Sequence, residues 1–327
     1  MSAFLTLLLG LVLLIGGGGM LVRGASDIAT RLGVSPLLVG LTIVGFGTSA
    51  PELVVNILSA SRGETDLAFG NVIGSNISNM ALILGASAII MPITIQGQLV
   101  RREIPLLLLA TTIMTVMALD GKIEGLEPYV GRTDSVVLLL LFAIFLYTMV
   151  LDLFAVQQQD QLLTDLQDYP LVGTDLTMRF GWLLALGGFA LLFVGGKLTV
   201  DGAVAVAEIF AVPANIVGLF VVAIGTSMPE LVTSIIAAVR NESDLALGNV
   251  VGSSLFNSLV VLPVTGLVQP VPVPEGGIAD LLVSWGFVAL LIPVFFLGRA
   301  RLSRGFGVVL FLAYVVYVVV RVSGVAN

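Results

Sequence analysis

Apolar residues gather along this chain in blocks of about twenty, the length a helix needs to cross the hydrocarbon of a bilayer. The blocks predict ten spanning helices, at roughly 2–22, 35–60, 66–91, 103–119, 134–153, 180–200, 212–238, 244–268, 279–298 and 306–323. Polar residues collect in short loops between them. One longer polar stretch, Gln157 to Thr177, carries Asp160, Asp165, Asp168 and Asp175 and is expected to be a solvated linker. The first block lacks a positive n-region and a clear cleavage site, so it is expected to stay as a spanning helix. The pattern is that of an all-α polytopic membrane protein.

Two of the blocks are interrupted by polar groups. The first reads Gly45-Phe46-Gly47-Thr48-Ser49-Ala50-Pro51-Glu52-Leu53, the second Ala223-Ile224-Gly225-Thr226-Ser227-Met228-Pro229-Glu230-Leu231. Pro51 has no N–H and clashes with the carbonyl of Gly47 one turn back, so helical bonding must fail there. Carbonyls around Gly45 to Thr48 are then expected to turn toward a partner that lipid cannot supply. Thr48 and Ser49 add hydroxyls and Glu52 adds charge; Ala223 to Glu230 supplies the matching set. A single copy is explained well enough by a proline kink with a snorkelling carboxylate. Two copies are not, because Glu52 and Glu230 lie deep in helices that contain no Lys or Arg. A buried, unpaired carboxylate costs several kcal/mol, so each is expected to hold a cation or a proton.

A second pair of segments follows, Gly70-Asn71-Val72-Ile73-Gly74-Ser75-Asn76-Ile77-Ser78-Asn79 and Gly248-Asn249-Val250-Val251-Gly252-Ser253-Ser254-Leu255-Phe256-Asn257. Their glycines, four apart, let helices approach closely. Ser75 and Asn79 share one helix face, as do Ser253 and Asn257. Asn71 and Asn249 are expected to act instead as interhelical hydrogen-bonders.

These pairs belong to one long repeat. Position i and position i + 178 match without a gap from Gly10, Gly17, Gly18 and Gly24 (Gly188, Gly195, Gly196, Gly202) to Asn79 (Asn257). Each half is a five-helix unit: 1–155 carries helices 1–5, 156–178 is the cytoplasmic linker, and 179–327 carries helices 6–10. Five is odd, so the second unit enters the membrane upside down, which is the inverted-repeat plan of secondary transporters. The discontinuous helices 2, 3, 7 and 8 are expected to form the core.

Composition narrows the chemistry. The 327 residues are 57% hydrophobic and 11% charged, with a mean hydropathy of +1.11. There is no Cys and no His, so a bound metal must be held by oxygen, which selects hard cations. The net charge of −7 includes no basic run that would suit nucleic acid. Arg23 and Arg31, Arg101 and Arg102, and Arg299, Arg301 and Arg304 fall on one side of a ten-helix chain. The positive-inside rule makes that side cytoplasmic, which puts both termini outside. Lys122, Arg132 and Lys197 fall on the other side.

The paired Gly-Thr-Ser-x-Pro-Glu and Gly-Asn-x-x-Gly-Ser segments resemble the two alpha-repeats of the sodium/calcium exchangers, of prokaryotic type, over nearly the whole chain. The resemblance implies a cell-membrane antiporter that exchanges Na⁺ for Ca²⁺, with no cofactor, no enzymatic activity and a monomeric state. It implies that Glu52 and Glu230 are the central Ca²⁺ carboxylates, joined by backbone oxygens of Thr48 and Thr226. Ser49, Ser75, Ser227 and Ser253, with carbonyls near Gly45 and Ala223, would line flanking Na⁺ sites. Helices 1 and 6 would slide across the core to alternate access. The chain departs from many exchangers by carrying Asn79 and Asn257 where they have Asp, which removes charge but keeps an oxygen. An H⁺-driven antiporter of the same fold and a Ca²⁺-permeable channel are the other readings of these residues. An intramembrane hydrolase lacks any accompanying signature.

Overall fold

In the computed structural model, the described residues are 3–94, 102–123, 127–164, 175–210, 223–297 and 301–325. The start of predicted helix 7 (212–222), the linker's middle (165–174), Arg101 and Arg299 lie outside them. The helices are α1 (Ala3–Leu32), α2 (Pro36–Ser61), α3 (Thr65–Ile90), α4 (Ile104–Ile123), α5 (Arg132–Thr164) and α6 (Asp175–Ile209). Then come α7 (described as Ala223–Thr226 and Met228–Val239), α8 (Ser243–Val268), α9 (Gly277–Leu297) and α10 (Arg304–Val325). Among the described residues, seven helices are long and apolar enough to cross a membrane, and α4, α7 and α9 contribute shorter apolar stretches. Helices α5 and α6 reach into the polar linker, so less of it is irregular than its composition suggests.

Large apolar side chains such as Ile15, Leu183 and Leu186 stand exposed, 62%, 66% and 61% respectively, while Glu52 and Glu230 are 1% exposed. That inversion is the arrangement a lipid solvent selects.

The repeat is visible in backbone detail. Helix α2 breaks at Ser49 (φ −88°, ψ 4°) and α7 at Ser227 (φ −88°, ψ 9°), each two residues before its proline. The segments that follow, Ala50–Ser61 and Met228–Val239, are 178 residues apart at both ends. The turn after each contains one left-handed residue, Gly63 (φ 78°) and Asn241 (φ 63°). Asn tolerates that region better than other non-glycine residues, so the pair conserves a conformation rather than a residue type. Helices α3 and α8 do not break. They widen into π turns at Ser78–Ile83 and Asn257–Val261, and α2 has a third at Gly40–Val44.

Four short strands show how the halves interlock: β1 (Ile93–Thr94), β2 (Tyr129–Val130), β3 (Val271–Pro272) and β4 (Arg301–Leu302). The strand after α3 pairs with the one before α10, β1 with β4, and the strand after α8 pairs with the one before α5, β3 with β2. Each half therefore clasps the other by the same element.

Helices α1 and α6 run antiparallel along a seam of glycines spaced by seven. A Cβ at Gly17 would lie 2.8 Å from Leu192 N and 2.9 Å from Gly188 O; one at Gly195 would lie 2.7 Å from Leu14 N. Only hydrogen fits, so the two backbones touch. This pair, with Leu14, Leu21, Ile28 and Leu192, packs on α7 through Ala237, in a cluster that also takes in Val39 and Val44 of α2 and Leu245 and Ala246 of α8. Helices α2–α5 and α8–α10 share a separate, larger core. There Phe46 of α2 stacks on Phe256 of α8, ring centroids 4.9 Å apart, just beside the π turn.

Candidate functional site

The proline breaks create new helix N-termini inside the protein. Glu52 and Glu230 each fall in the first turn of the restarted segment, where the helix dipole favours negative charge. The sequence therefore builds two short helices that each aim a positive end, and a carboxylate, at the middle of the fold. Ser49, three residues before Glu52, reaches across to Glu230, so the two carboxylate-bearing turns meet.

Around them converge oxygens from four helices. Ser49 Oγ donates to Glu230 Oε1 at 3.0 Å, crossing from one repeat to the other. Ser227, its repeat partner, does not return the bond to Glu52 but donates to Ser75 Oγ at 3.3 Å. Both oxygens of Glu52 and the second oxygen of Glu230 are buried without a hydrogen-bond partner among the described residues. The Thr48 hydroxyl lies 3.1 Å from Asn249 Oδ1 and 3.3 Å from Ser253 Oγ. Ser253 Oγ donates to the Gly45 carbonyl at 3.1 Å. That carbonyl also accepts the Ser49 N–H at 3.2 Å, the ordinary helical bond, so Gly45 O is not freed by the proline but shared between its own helix and Ser253.

Asn71 and Asn249 take the structural role read for them. Asn249 donates to Ser234 Oγ at 2.8 Å and to the Glu230 carbonyl at 3.2 Å. Asn71 donates to Asn56 Oδ1 at 2.6 Å and accepts from Thr226 Oγ1 at 3.3 Å. Thr48 to Asn249 and Thr226 to Asn71 are the same bond in the two repeats. Asn56 and Ser234 escaped the sequence reading, although each sits four residues after a site glutamate, on the same face, at matching positions. Asn79 donates to Ser254 Oγ at 3.4 Å; the amide oxygens of Asn79 and Asn257 have no partner among the described residues. Of Ala223 only the backbone is described, at the start of its helical turn.

Among the described residues no three acidic side chains cluster. What the fold gathers is two carboxylates with hydroxyl, amide and backbone oxygens, and no nitrogen or sulfur ligand. Such a set suits a hard cation. Buried oxygens left unpaired call for a partner that the chain itself does not supply.

A family profile described as "Sodium/calcium exchanger protein" matches residues 2–151 and 180–323, which takes in both repeats and omits the linker. The chain belongs to the sodium/calcium exchanger family. Among curated relatives it is 37% identical to the putative antiporter CaxA of Alkalimonas amylolytica, over 96% of this chain and 97% of that one. It is 30% identical to the sodium/calcium exchanger MaX1 of Methanosarcina acetivorans, over 97% of each. A solved structure of the sodium-calcium exchanger NCX_Mj, soaked with 10 mM Na⁺ and zero Ca²⁺, superposes with a TM-score of 0.82. The sequences there are 29% identical, covering 97% of this chain and 98% of that one. This exchanger-family chain is thus a mostly helical, multi-pass membrane protein of a cation/Ca²⁺ antiport family.

Proposed function

We propose that the chain exchanges Na⁺ for Ca²⁺ across the cell membrane by alternating access, driven by the sodium gradient. One observation carries this reading: repeat-related glutamates are buried together in an oxygen-only cage, with three of their four carboxylate oxygens unpartnered among the described residues. In this reading Glu52 and Glu230 hold Ca²⁺, with the backbone oxygens of Thr48 and Thr226. Ser49, Ser75, Ser227 and Ser253, with the Gly45 and Ala223 carbonyls, line flanking Na⁺ sites, and Asn79 and Asn257 add neutral oxygens. The cage carries −2 when both glutamates are ionised, so one Ca²⁺ or two Na⁺ neutralise it and a third Na⁺ leaves +1. The α1–α6 pair, joined backbone to backbone along its glycine seam, is the unit that slides. The protein works as a monomer with both termini outside.

The test is Ca²⁺ flux in proteoliposomes under an imposed Na⁺ gradient, with Glu52→Gln and Glu230→Gln alongside. Na⁺-driven flux in the parent and its loss in both variants are expected. Wild-type-like flux in both variants removes the glutamates from the site. Flux that follows pH and ignores Na⁺ assigns the driving ion to H⁺, and rapid uncoupled flux assigns a channel.

A further inference from the structure

One cluster of rings stands against the cation site without being part of it. Phe46 of α2 stacks on Phe256 of α8, with planes 29° from parallel. Phe142 of α5 closes the group, tilted at 5.5 Å from Phe46 and edge-on at 6.1 Å from Phe256. Three helices, two from the first repeat and one from the second, thus meet through aromatic faces. Among the described rings, Phe145 of α5 meets only Phe142, at 6.2 Å, on the side away from the stack.

Their place in the chain matters. Phe46 follows Gly45, whose carbonyl accepts from Ser253 Oγ at 3.1 Å, and Phe256 lies about one helical turn after Ser253. Both backbones are irregular just there. The π turn Gly40–Val44 ends two residues before Phe46, and the π turn Asn257–Val261 begins one residue after Phe256. A π turn inserts a residue into the helical register, so ordinary helix geometry does not by itself fix how α2 sits on α8. Gly45 has no side chain to do it, and a Cβ there would lie 2.9 Å from Ser253 N. The repeat offers a comparison. Gly45 and Ser253 answer to Ala223 and Ser75, but Phe46 and Phe256 answer to Ile224 and Ser78. One flank of the site carries an aromatic pair, and the other has no ring at either position.

We propose that Phe46 and Phe256 are positioning residues for the flanking Na⁺ site at Gly45 and Ser253. Their stack fixes α2 on α8 and with it the spacing of the two oxygens. The proposal rests on the cation-exchange reading for its ion. An oxygen pair that is already in place binds without the cost of ordering it, so the clamped flank holds Na⁺ more tightly than its repeat-related counterpart. Ca²⁺ is held by the two glutamates and does not draw on the stack.

The test is a set of leucine variants, which stay apolar and lose the ring. In proteoliposomes, Phe46→Leu and Phe256→Leu should each raise half-saturating Na⁺ about fivefold and leave half-saturating Ca²⁺ unchanged. Fivefold corresponds to about 1 kcal/mol, the worth of one aromatic pair. The double variant should be no worse than either single one, because the same interaction is lost in all three. Phe145→Leu removes a ring that is only 1% exposed, and should lower the melting temperature without moving half-saturating Na⁺. A merely structural role for the cluster would lower the melting temperature in all the variants and leave both half-saturating concentrations in place. Unchanged half-saturating Na⁺ in Phe46→Leu and Phe256→Leu overturns the proposal, as does an equal rise for Ca²⁺ or additive effects in the double variant. A parent that moves no Ca²⁺ under a Na⁺ gradient refutes the exchange reading instead. The clamp is then judged in detergent, where an ion that binds the folded protein raises its melting temperature. A fivefold rise in the Na⁺ concentration at half-effect upholds it in the two variants, and no rise overturns it.

Discussion

Gly252 is where a backbone neighbour puts the tightest demand on the sequence near the site. A Cβ there would lie 2.3 Å from the carbonyl oxygen of Leu41, 2.7 Å from its Cα and 2.8 Å from its carbonyl carbon. These are backbone atoms of the π turn in α2 and cannot rotate away. Gly252→Ala must therefore push α8 from α2 by roughly 1 Å to restore ordinary contact. Two bonds span that gap, Ser253 Oγ to Gly45 O and Thr48 Oγ1 to Asn249 Oδ1, both 3.1 Å. Lengthened by that amount, they fall outside hydrogen-bonding range. Overpacking costs about 1–3 kcal/mol and each lost buried bond about 1 kcal/mol, so the total is on the order of 3 kcal/mol. Alanine's better helix propensity recovers at most about 1 kcal/mol of that. The assay is thermal unfolding in detergent, with Gly16→Ala as the control. Gly16 faces outward, and among the described residues nothing lies within 4 Å of the added methyl. The Gly252 variant should melt several degrees lower and the control should not. Coincident melting curves would refute the close approach of α2 and α8, and with it the geometry of the site.

Other perturbations follow from the same contacts. Gly188→Ala places a methyl 2.6 Å from Leu21 N and should destabilise by about 1–3 kcal/mol, read by chemical unfolding, while slowing turnover by prying α1 from α6. Asn249→Leu removes the bonds to the Ser234 hydroxyl and from the Thr48 hydroxyl, both buried, and should cost about 2–3 kcal/mol in the same assay. At the far end of the bundle Arg321 Nη2 meets Asp280 Oδ2 at 2.7 Å while Tyr317 donates to Asp280 Oδ1 at 3.0 Å. Arg321→Leu leaves the largely buried carboxylate without its cation and should lower stability by about 1 kcal/mol, an effect abolished when Asp280→Leu is added.

The sequence was most informative where chemistry forced an unusual residue into an apolar block. Pro51 and Pro229 announced the breaks, and the structure puts them at Ser49 and Ser227. The repeat announced the symmetry, and the described residues after each proline break follow it, Ala50–Ser61 matching Met228–Val239 end to end. The π turns were not legible, because a one-residue widening leaves the apolar pattern unchanged. They begin at Ser78 and Asn257, inside the polar stripes, so spacing by fours does not carry beyond them. The crossed strand pairs were hidden for another reason: two-residue strands carry no periodicity. Nor did symmetry of sequence reveal asymmetry of contact. Ser49 and Ser227 are equivalent as letters, yet one binds a glutamate and the other a serine.

The glycine seam also bears on how the chain assembles. Helix α1 is made before α6, whose surface it fits, by about 170 residues; at ordinary rates of synthesis that is a delay of roughly ten seconds or more. During that interval α1 sits in lipid with Gly10, Gly17 and Gly24 uncovered. Nothing drives it out, since lipid is as apolar as its partner, but nothing fixes its place either. Docking of α1 therefore comes late, after the second half has been inserted. A half-length chain ending before the linker would carry the same seven-residue glycine spacing and no α6 to meet it. It could satisfy that surface with an antiparallel copy of itself, the arrangement from which a fused, inverted duplicate would arise.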